Sequence, residues 1–350
     1  MTDNHLVVMA GGVGSRFWPM STTERPKQFL DIMGVGRTML QLTVDRFEGI
    51  IPKENVWVVT GERFAGMVRE QLPEIPADHI LLEPCGRGTA PCICYVSWRI
   101  KMRNPRANVV VSPADHDIKN VEEFRRIVND ALDFSAETDS IVTLGIKPSR
   151  PATGYGYIRA DLSYPALRHK SMFRVDAFKE KPNLETAKGY IKQNNYYWNS
   201  GIFVWNVSTI INAFRVYARE ISEIFENLQP VYGTEHEQER INVVFPTCPN
   251  ISVDYAIMEK AEEVFVSPAD FGWSDLGTWG SLRDQIPHDE YGNAIVGQGV
   301  RAVETHNCII HSSTDKKIVV QGLDDCIVVE SNGNILICRL SEEQRIKSFM

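Results

Sequence analysis

Glycine and positive charge meet near the start of this chain. The segment Ala10-Gly11-Gly12-Val13-Gly14-Ser15-Arg16 follows a short apolar run, Leu6–Met9, and Glu24-Arg25-Pro26-Lys27-Gln28 comes soon after. Glycines let backbone N–H groups approach phosphate oxygens closely, and a following helix end adds its dipole. A G-G-x-G stretch alone reads as a tight strand-to-helix turn. Arg16 and Lys27 change that reading, because two cations beside a glycine-rich turn make sense if a triphosphate lies between them. Two rivals fail on residues. A dinucleotide fingerprint counted from Gly12 needs a glycine where Phe17 stands, and a P-loop needs a Gly-Lys pair that the chain lacks.

Such a turn has to be held by a sheet. Leu6–Met9, Val56–Val59, Ile80–Leu82, Val109–Ser112 and Ile141–Gly145 read as strands. Met39–Phe47, Phe64–Leu72, Ala90–Lys101 and Val121–Ser135 carry helical spacing between them. Strands apolar on both faces are what a parallel sheet covered by helices requires, so the architecture is doubly wound α/β. Leu6–Met9 runs into the glycine turn, Ile80–Leu82 into Glu83, and Val109–Ser112 into Asp115. Ligands of open α/β sheets bind at the carboxyl ends of strands, which predicts one cleft there.

From about Pro151 the texture changes. Gly154–Tyr157, Phe173–Phe178 and Gly201–Trp205 read as strands of a mixed extension of the sheet. After Leu282 the helical signals fade, and Ile295–Glu304, Asn307–His311, Lys317–Val320, Cys326–Glu330 and Ile335–Arg339 read as short strands between turns. The expected division is therefore residues 1–284 and a β-rich domain over residues 285–350.

The 350 residues are 43% hydrophobic and 23% charged, a globular composition. A net charge of −8 argues against a broad nucleic-acid surface. The seven cysteines are scattered, with no C-x-x-C pair, as buried reduced thiols of a cytosolic protein would be. Cys92 and Cys94 sit in an apolar run, where packing is the expected role. No run is long enough for a signal core or a membrane span, so a cytoplasmic protein is expected.

At this point the sequence resembles the sugar-phosphate nucleotidyltransferases, and within them the mannose-1-phosphate guanylyltransferases (GDP-mannose pyrophosphorylases). Their signature is a G-G-x-G-x-R loop and then P-K near position 26. The resemblance continues through Leu82-Glu83-Pro84-Cys85-Gly86-Arg87-Gly88-Thr89-Ala90-Pro91, Ser112-Pro113-Ala114-Asp115-His116 and Thr153-Gly154-Tyr155-Gly156-Tyr157-Ile158. It then takes in Phe178-Lys179-Glu180-Lys181-Pro182, Trp198-Asn199-Ser200-Gly201-Ile202-Phe203, Val253-Asp254-Tyr255 and Trp273-Ser274-Asp275-Leu276-Gly277-Thr278-Trp279. The blocks stand in family order over roughly the first 280 residues.

The resemblance implies GMP transfer from GTP to mannose 1-phosphate, releasing pyrophosphate. It implies a Rossmann-like, glycosyltransferase-A-like mixed sheet, with the β-rich tail as a short left-handed β-helix. Arg16, Lys27 and Lys181 take the catalytic cation roles, Lys181 gripping the sugar phosphate. Ala10, Gly11, Gly12, Gly14, Ser15, Glu83, Pro84, Arg87 and Thr89 hold the nucleotide. Gly154, Tyr155, Glu180, Lys181, Asn199 and Asp254 hold the sugar phosphate, and Asp115 and Asp275 hold Mg2+. The family's usual asparagine after Arg87 is here Gly88, so backbone or water must replace its contact. The implied partners are GTP, mannose 1-phosphate and a second copy of the chain as a homodimer, with no nucleic acid and no membrane. There is no room for the isomerase domain of longer relatives, so one activity is expected.

The reaction itself supports this assignment. A phosphate oxygen attacks the α-phosphorus in line and pyrophosphate leaves, so the protein must neutralise charge and align reactants. Two other readings fit the same residues. One is the same chemistry on another sugar phosphate or base. The other is a silent GDP-sugar-binding regulator, which would be expected to lose Arg16, Lys27, Asp115 or Asp275; all four are present.

Overall fold

The computed structural model describes residues 3–12, 15–166, 169 and 171–349, with Ser15 described by its backbone alone. The chain forms two compact units. One comprises Met1–Gly11, Val44–Pro113 and Ile118–Trp273, the other Gly12–Thr43, Ala114–Asp117 and Ser274–Met350.

The first unit is built on a nine-stranded sheet. Strands β1 (Asn4–Met9), β2 (Val56–Gly61), β3 (Ile80–Glu83) and β4 (Asn108–Pro113) come from the runs expected to be strands. They are mutually parallel in the order β3-β2-β1-β4. The two-residue strands β5 (Asp117–Ile118) and β11 (Trp273–Ser274) mark places where the chain passes from one unit to the other. Beyond β4 the sheet continues with β9 (Tyr196–Asn206), β6 (Ile141–Ile146), β10 (Val264–Ala269), β8 (Phe173–Lys179) and β7 (Tyr157–Pro165). Strand β9 is antiparallel to both β4 and β6 and also pairs with β7, so the sheet is mixed.

Helices Ala65–Gln71, Thr89–Arg103 and Val121–Glu137 fall where helical spacing placed them. The Asn120 side chain accepts from Glu123 N at 3.1 Å and so caps the last of these. Cys92 and Cys94 are buried inside helix Thr89–Arg103, among the apolar side chains of the core. One expectation is corrected here. Thr153, Gly154 and Tyr155 form a bend, and the strand begins only at Tyr157.

The second unit contains β12 (Ala294–Val296), β13 (Val300–Val303), β14 (Ile309–Ser312), β15 (Ile318–Gln321), β16 (Cys326–Ser331) and β17 (Asn334–Arg339). β13 pairs β15 and β14 pairs β16, both parallel, so successive coils stack residue on residue. The stacking is seen in His306 Nδ1 against Asp324 Oδ1, which are 18 residues apart in sequence and 2.9 Å apart in space. The expected single strand over Ile295–Glu304 is two strands. Gly297 turns the chain at φ +118°, and a Cβ at Gly299 would lie 2.5 Å from the Lys316 carbonyl oxygen. A ten-residue 3₁₀ stretch, Leu340–Phe349, follows β17 with no earlier helical signal.

The core of this unit joins the β-strands to residues from the front of the chain. Phe17, Met20, Leu30, Ile32 and Met39 cluster with Leu276, Trp279, Ile309, Ile327 and Val329. Phe17 packs its ring 5.0 Å from Trp279. Residues 274–284 thus share a core with the strand-rich tail, and the compact units divide the chain elsewhere than residue 284.

Candidate active site

In the second unit the cations and carboxylates of the sequence motifs come together. Pro26, in extended conformation, delivers Lys27 into a short 3₁₀ turn, Lys27–Phe29. Gln28 donates to the Gly12 carbonyl oxygen at 2.7 Å, tying this turn to the glycine segment. Lys27 is almost fully buried at 3% exposure, which demands that its charge be answered. Its Nζ donates to the carbonyl oxygens of Asp275 at 2.8 Å and Leu276 at 2.9 Å and pairs with Asp115 Oδ2 at 2.9 Å. The Phe17 ring lies beneath the ammonium at 5.6 Å.

A cavity of about 140 Å³ opens beside this knot, lined by Arg16, Lys27, Asp115, His116, Asp275 and Gly277 among others. Burial by itself would raise the pKa of Asp115. The Lys27 ammonium, with His116, outweighs it and holds the carboxyl below its usual range. Asp275 Oδ1 accepts from Gly277 N at 3.1 Å. Leu276, between them, has φ +44°, a left-handed conformation that costs a non-glycine residue free energy. That conformation turns the Leu276 carbonyl onto Lys27 while its side chain stays in the core.

The donors fit a hard cation. Two carboxylates on one small polar cavity suit Mg2+, which keeps several waters and shares substrate phosphate oxygens. Among the described residues no cluster of three or more His, Cys, Asp or Glu forms a complete protein cage. Gly14 lies outside the described residues, as does the Ser15 side chain.

In the first unit, Ala10 ends β1 with its N–H on the Val59 carbonyl at 2.8 Å and its carbonyl accepting from the Thr60 hydroxyl at 3.0 Å. Gly11 follows, and a Cβ there would stand 3.3 Å from Glu83 Oε2. Glu83 therefore faces the glycine segment across a gap that only a small residue leaves open. Burial pushes its carboxyl up to about 7, partly offset by a hydrogen bond from Cys92. Pro84 follows, half-buried, and the Arg87 guanidinium donates to the Pro246 carbonyl oxygen. Thr89 opens the helix Thr89–Arg103.

The expected sugar residues also gather in this unit. Asn199 donates to Asp254 Oδ1 at 2.9 Å, and its own Oδ1 accepts from Thr143 at 3.3 Å and Gly201 N at 3.1 Å. Glu180 holds Lys181 Nζ at 2.6 Å, and Lys181 has φ +44°. The bond to Glu180 raises the Lys181 pKa, so the amine stays charged. Burial and then the nearby Glu180 charge raise the Asp254 pKa. A Cβ at Gly156 would lie 2.5 Å from Glu180 Oε2 and 3.3 Å from Asn199 Cβ, so this glycine makes room for the pair.

Tyr155 stands edge-on to Trp198 at 5.0 Å and to Trp273 at 5.3 Å, with Arg150 5.7 Å over its ring. Gly154 beside it faces open space, and a Cβ there would meet nothing within 4 Å. Tyr157 is a packing residue, its hydroxyl bonded to the Ala152 carbonyl at 2.9 Å. Sequence reasoning missed Thr143 and Arg150. Thr143 sits in a strand with no motif around it, and only β6–β9 pairing brings it to Asn199.

Residues 5–291 match the family model described as nucleotidyl transferase, and residues 298–350 match the MannoseP isomerase/GMP-like beta-helix domain. The chain is 37% identical over 346 residues to the mannose-1-phosphate guanylyltransferase of Escherichia coli (strain K12), covering 97% of this chain and 71% of that protein. It is 34% identical over 348 residues to the alginate biosynthesis protein AlgA of Pseudomonas aeruginosa, covering 97% of this chain and 70% of that protein. A solved structure from Thermus thermophilus, described as a mannose-1-phosphate geranyltransferase, superposes with a TM-score of 0.88 at 30% identity. That match covers 99% of this chain and 98% of the other. The chain belongs to the nucleotidyl transferase family.

Proposed function

With that membership as premise, we propose that the chain transfers GMP from GTP to mannose 1-phosphate, forming GDP-mannose and releasing pyrophosphate. The observation that carries this reading is the Lys27 knot: a buried ammonium fixed by two backbone carbonyls and Asp115 on the wall of a polar cavity that Arg16 and Asp275 also line. Fixed charge of this kind costs no reorganisation when negative charge builds in the transition state.

Arg16 and Lys27 neutralise the departing pyrophosphate, and the backbone at Gly11 and Gly12 cradles the triphosphate. Asp115 and Asp275 hold Mg2+, which when bound supplies charge neutralisation at the phosphate oxygens. Glu83 accepts from the N1–H and amino group of guanine. Lys181, charged at neutral pH, draws the sugar phosphate, while Glu180, Asn199 and Asp254 accept and donate to sugar hydroxyls with Tyr155 as a wall. No covalent nucleophile is needed, because the sugar phosphate supplies the attacking oxygen.

We assign the transfer reaction to residues 1–284 and take the β-rich residues 285–350 as a second domain; the two matched family segments meet between residues 291 and 298. The seven cysteines are all unpaired, which suits the reducing cytoplasm. Among the described residues no helix is long and apolar enough to cross a membrane. Pyrophosphate release, measured over a panel of nucleotides and sugar 1-phosphates, tests the reading. Turnover confined to a pair other than GTP and mannose 1-phosphate would replace it.

A further inference from the structure

The segment Arg87-Gly88-Thr89 is strapped to Pro246–Val253 by a ladder of bonds. The Arg87 guanidinium donates to the Pro246 carbonyl, and Ile251 N donates to the Arg87 carbonyl at 3.2 Å. Ala90 N donates to the Ile251 carbonyl at 3.1 Å, and Val253 N donates to Thr89 Oγ1 at 2.9 Å. Gly88 lies at the centre, with φ +76° and ψ −179°, a region essentially closed to other residues. A Cβ there would stand 2.5 Å from the Ile251 carbonyl oxygen. Gly88 is thus the residue that lets the strap close.

The strap ends where the sugar cluster begins. Val253 is buried, and the next residue, Asp254, opens a single π-helical turn, Asp254–Met258. Such turns are uncommon and are found frequently at functional sites. Here the turn carries Asp254 onto Asn199 at 2.9 Å and leaves Tyr255 exposed. The backbone N–H immediately before this carboxylate is therefore fixed by the Thr89 hydroxyl.

We propose that Thr89 is a positioning residue for the sugar phosphate: its hydroxyl, bonded to Val253 N, holds Asp254 against Asn199. The inference rests on the functional reading above and assigns Thr89 to the sugar side of the reaction, where the family resemblance places it with the nucleotide. The buried Val253 N–H has one partner in the strap, and removing it leaves a donor unsatisfied. Asp254 then loses its register with Asn199, while Gly11 and Glu83, tied to β1 and β3, stay in place.

The test is steady-state kinetics of Thr89→Val and Thr89→Ser beside the unaltered enzyme. The isosteric valine lacks the acceptor, and the KM for mannose 1-phosphate should rise about tenfold or more with the KM for GTP within about twofold. Serine keeps the hydroxyl and should restore the KM. Thr89→Ala, which removes the acceptor without adding bulk, should give the same split if the valine variant folds poorly. A rise in the GTP KM alone, equal rises in both, or no rescue by serine overturns the inference. So does a crystal structure of Thr89→Val that retains the Asn199–Asp254 bond, whatever the substrates prove to be. An unaltered enzyme that fails to turn over this substrate pair defeats the functional reading instead.

Discussion

Lys27 holds Asp115 at 2.9 Å with its amine almost wholly enclosed, so one carboxylate implied as a metal ligand is already neutralised by a cation of the protein. The pair sets the charge of the cavity wall before any substrate arrives. It also ties the Pro26-Lys27 block to Asp275 and Leu276, because the same amine holds both of their carbonyls. Charge and backbone geometry therefore depend on one side chain.

Lys27→Ala should lose about 10²–10³ in kcat/KM, because it removes a preorganised positive charge from the wall of the cavity and frees the carbonyls and carboxylate that this charge holds. Circular dichroism and the unfolding midpoint of the variant establish that it is folded. Near-normal turnover in a folded variant would remove Lys27 from the chemistry.

Turnover should require a divalent cation and stop after chelation. Asp115→Asn and Asp275→Asn should each raise the Mg2+ concentration for half-maximal rate or abolish the rate, because a neutral amide holds the ion poorly. Full activity in excess EDTA would exclude the two-carboxylate site.

Glu83 predicts both base choice and pH dependence. Its carboxyl, raised by burial to about 7, is protonated below that pH and accepts from guanine only above it. The KM for GTP should therefore climb as pH falls below 7, by up to about tenfold per unit, and Glu83→Gln should flatten that dependence. Adenine sets an acceptor against this acceptor, so GTP should be preferred to ATP by about a hundredfold. Equal kcat/KM for the two nucleotides would refute the guanylyl assignment.

Gly156→Ala should weaken the sugar side selectively. The new methyl would meet Glu180 Oε2 at 2.5 Å, and a flexible carboxylate yields by swinging away from its bond to Lys181. The KM for mannose 1-phosphate should rise severalfold with the unfolding midpoint nearly unchanged. An unaltered KM would show that the Glu180 position is irrelevant to binding.

Three buried histidines, His5, His79 and His311, weaken the fold in acid, because burial lowers the pKa of each. For His5 and His311 it falls to about 4. His5 Nδ1 accepts from Trp57 Nε1 at 3.2 Å, and His311 Nδ1 is buried without a hydrogen-bond partner, so neither nitrogen can take a proton in place. The unfolded chain binds those protons from about pH 6.5 downward, so stability is full above 6.5 and falls as pH drops toward 4. Urea unfolding at pH 7.5 and 5.0 should differ by about 2 kcal/mol for each of His5 and His311, and His311→Gln should reduce the difference. A flat pH response would rule these groups out.

Residue types and local spacing determined the class of chemistry and the parallel half of the sheet. Strands β1 to β4 announce themselves because a strand buried on both faces must be apolar along its length, a property of the segment alone. Arg16 and Lys27 stood out by residue type beside the glycine turn, since phosphate restricts which residues can serve, whereas Asp115 and Asp275 were named only through the family resemblance. Their mutual arrangement was not legible. That Lys27 spends its amine on Asp115 and two carbonyls depends on segments more than two hundred residues apart in sequence meeting in one core. Gly88 looked like a lost base contact and is the closing point of a strap, because the Ile251 carbonyl that excludes a side chain there comes from elsewhere in the chain. The break at Gly297 and the reach of Thr143 to Asn199 were likewise invisible, since coil stacking and the β6–β9 register decide them. Local sterics and periodicity are written within a few residues, whereas hydrogen-bond partners and excluded volume belong to whichever distant segments the sheet order makes neighbours.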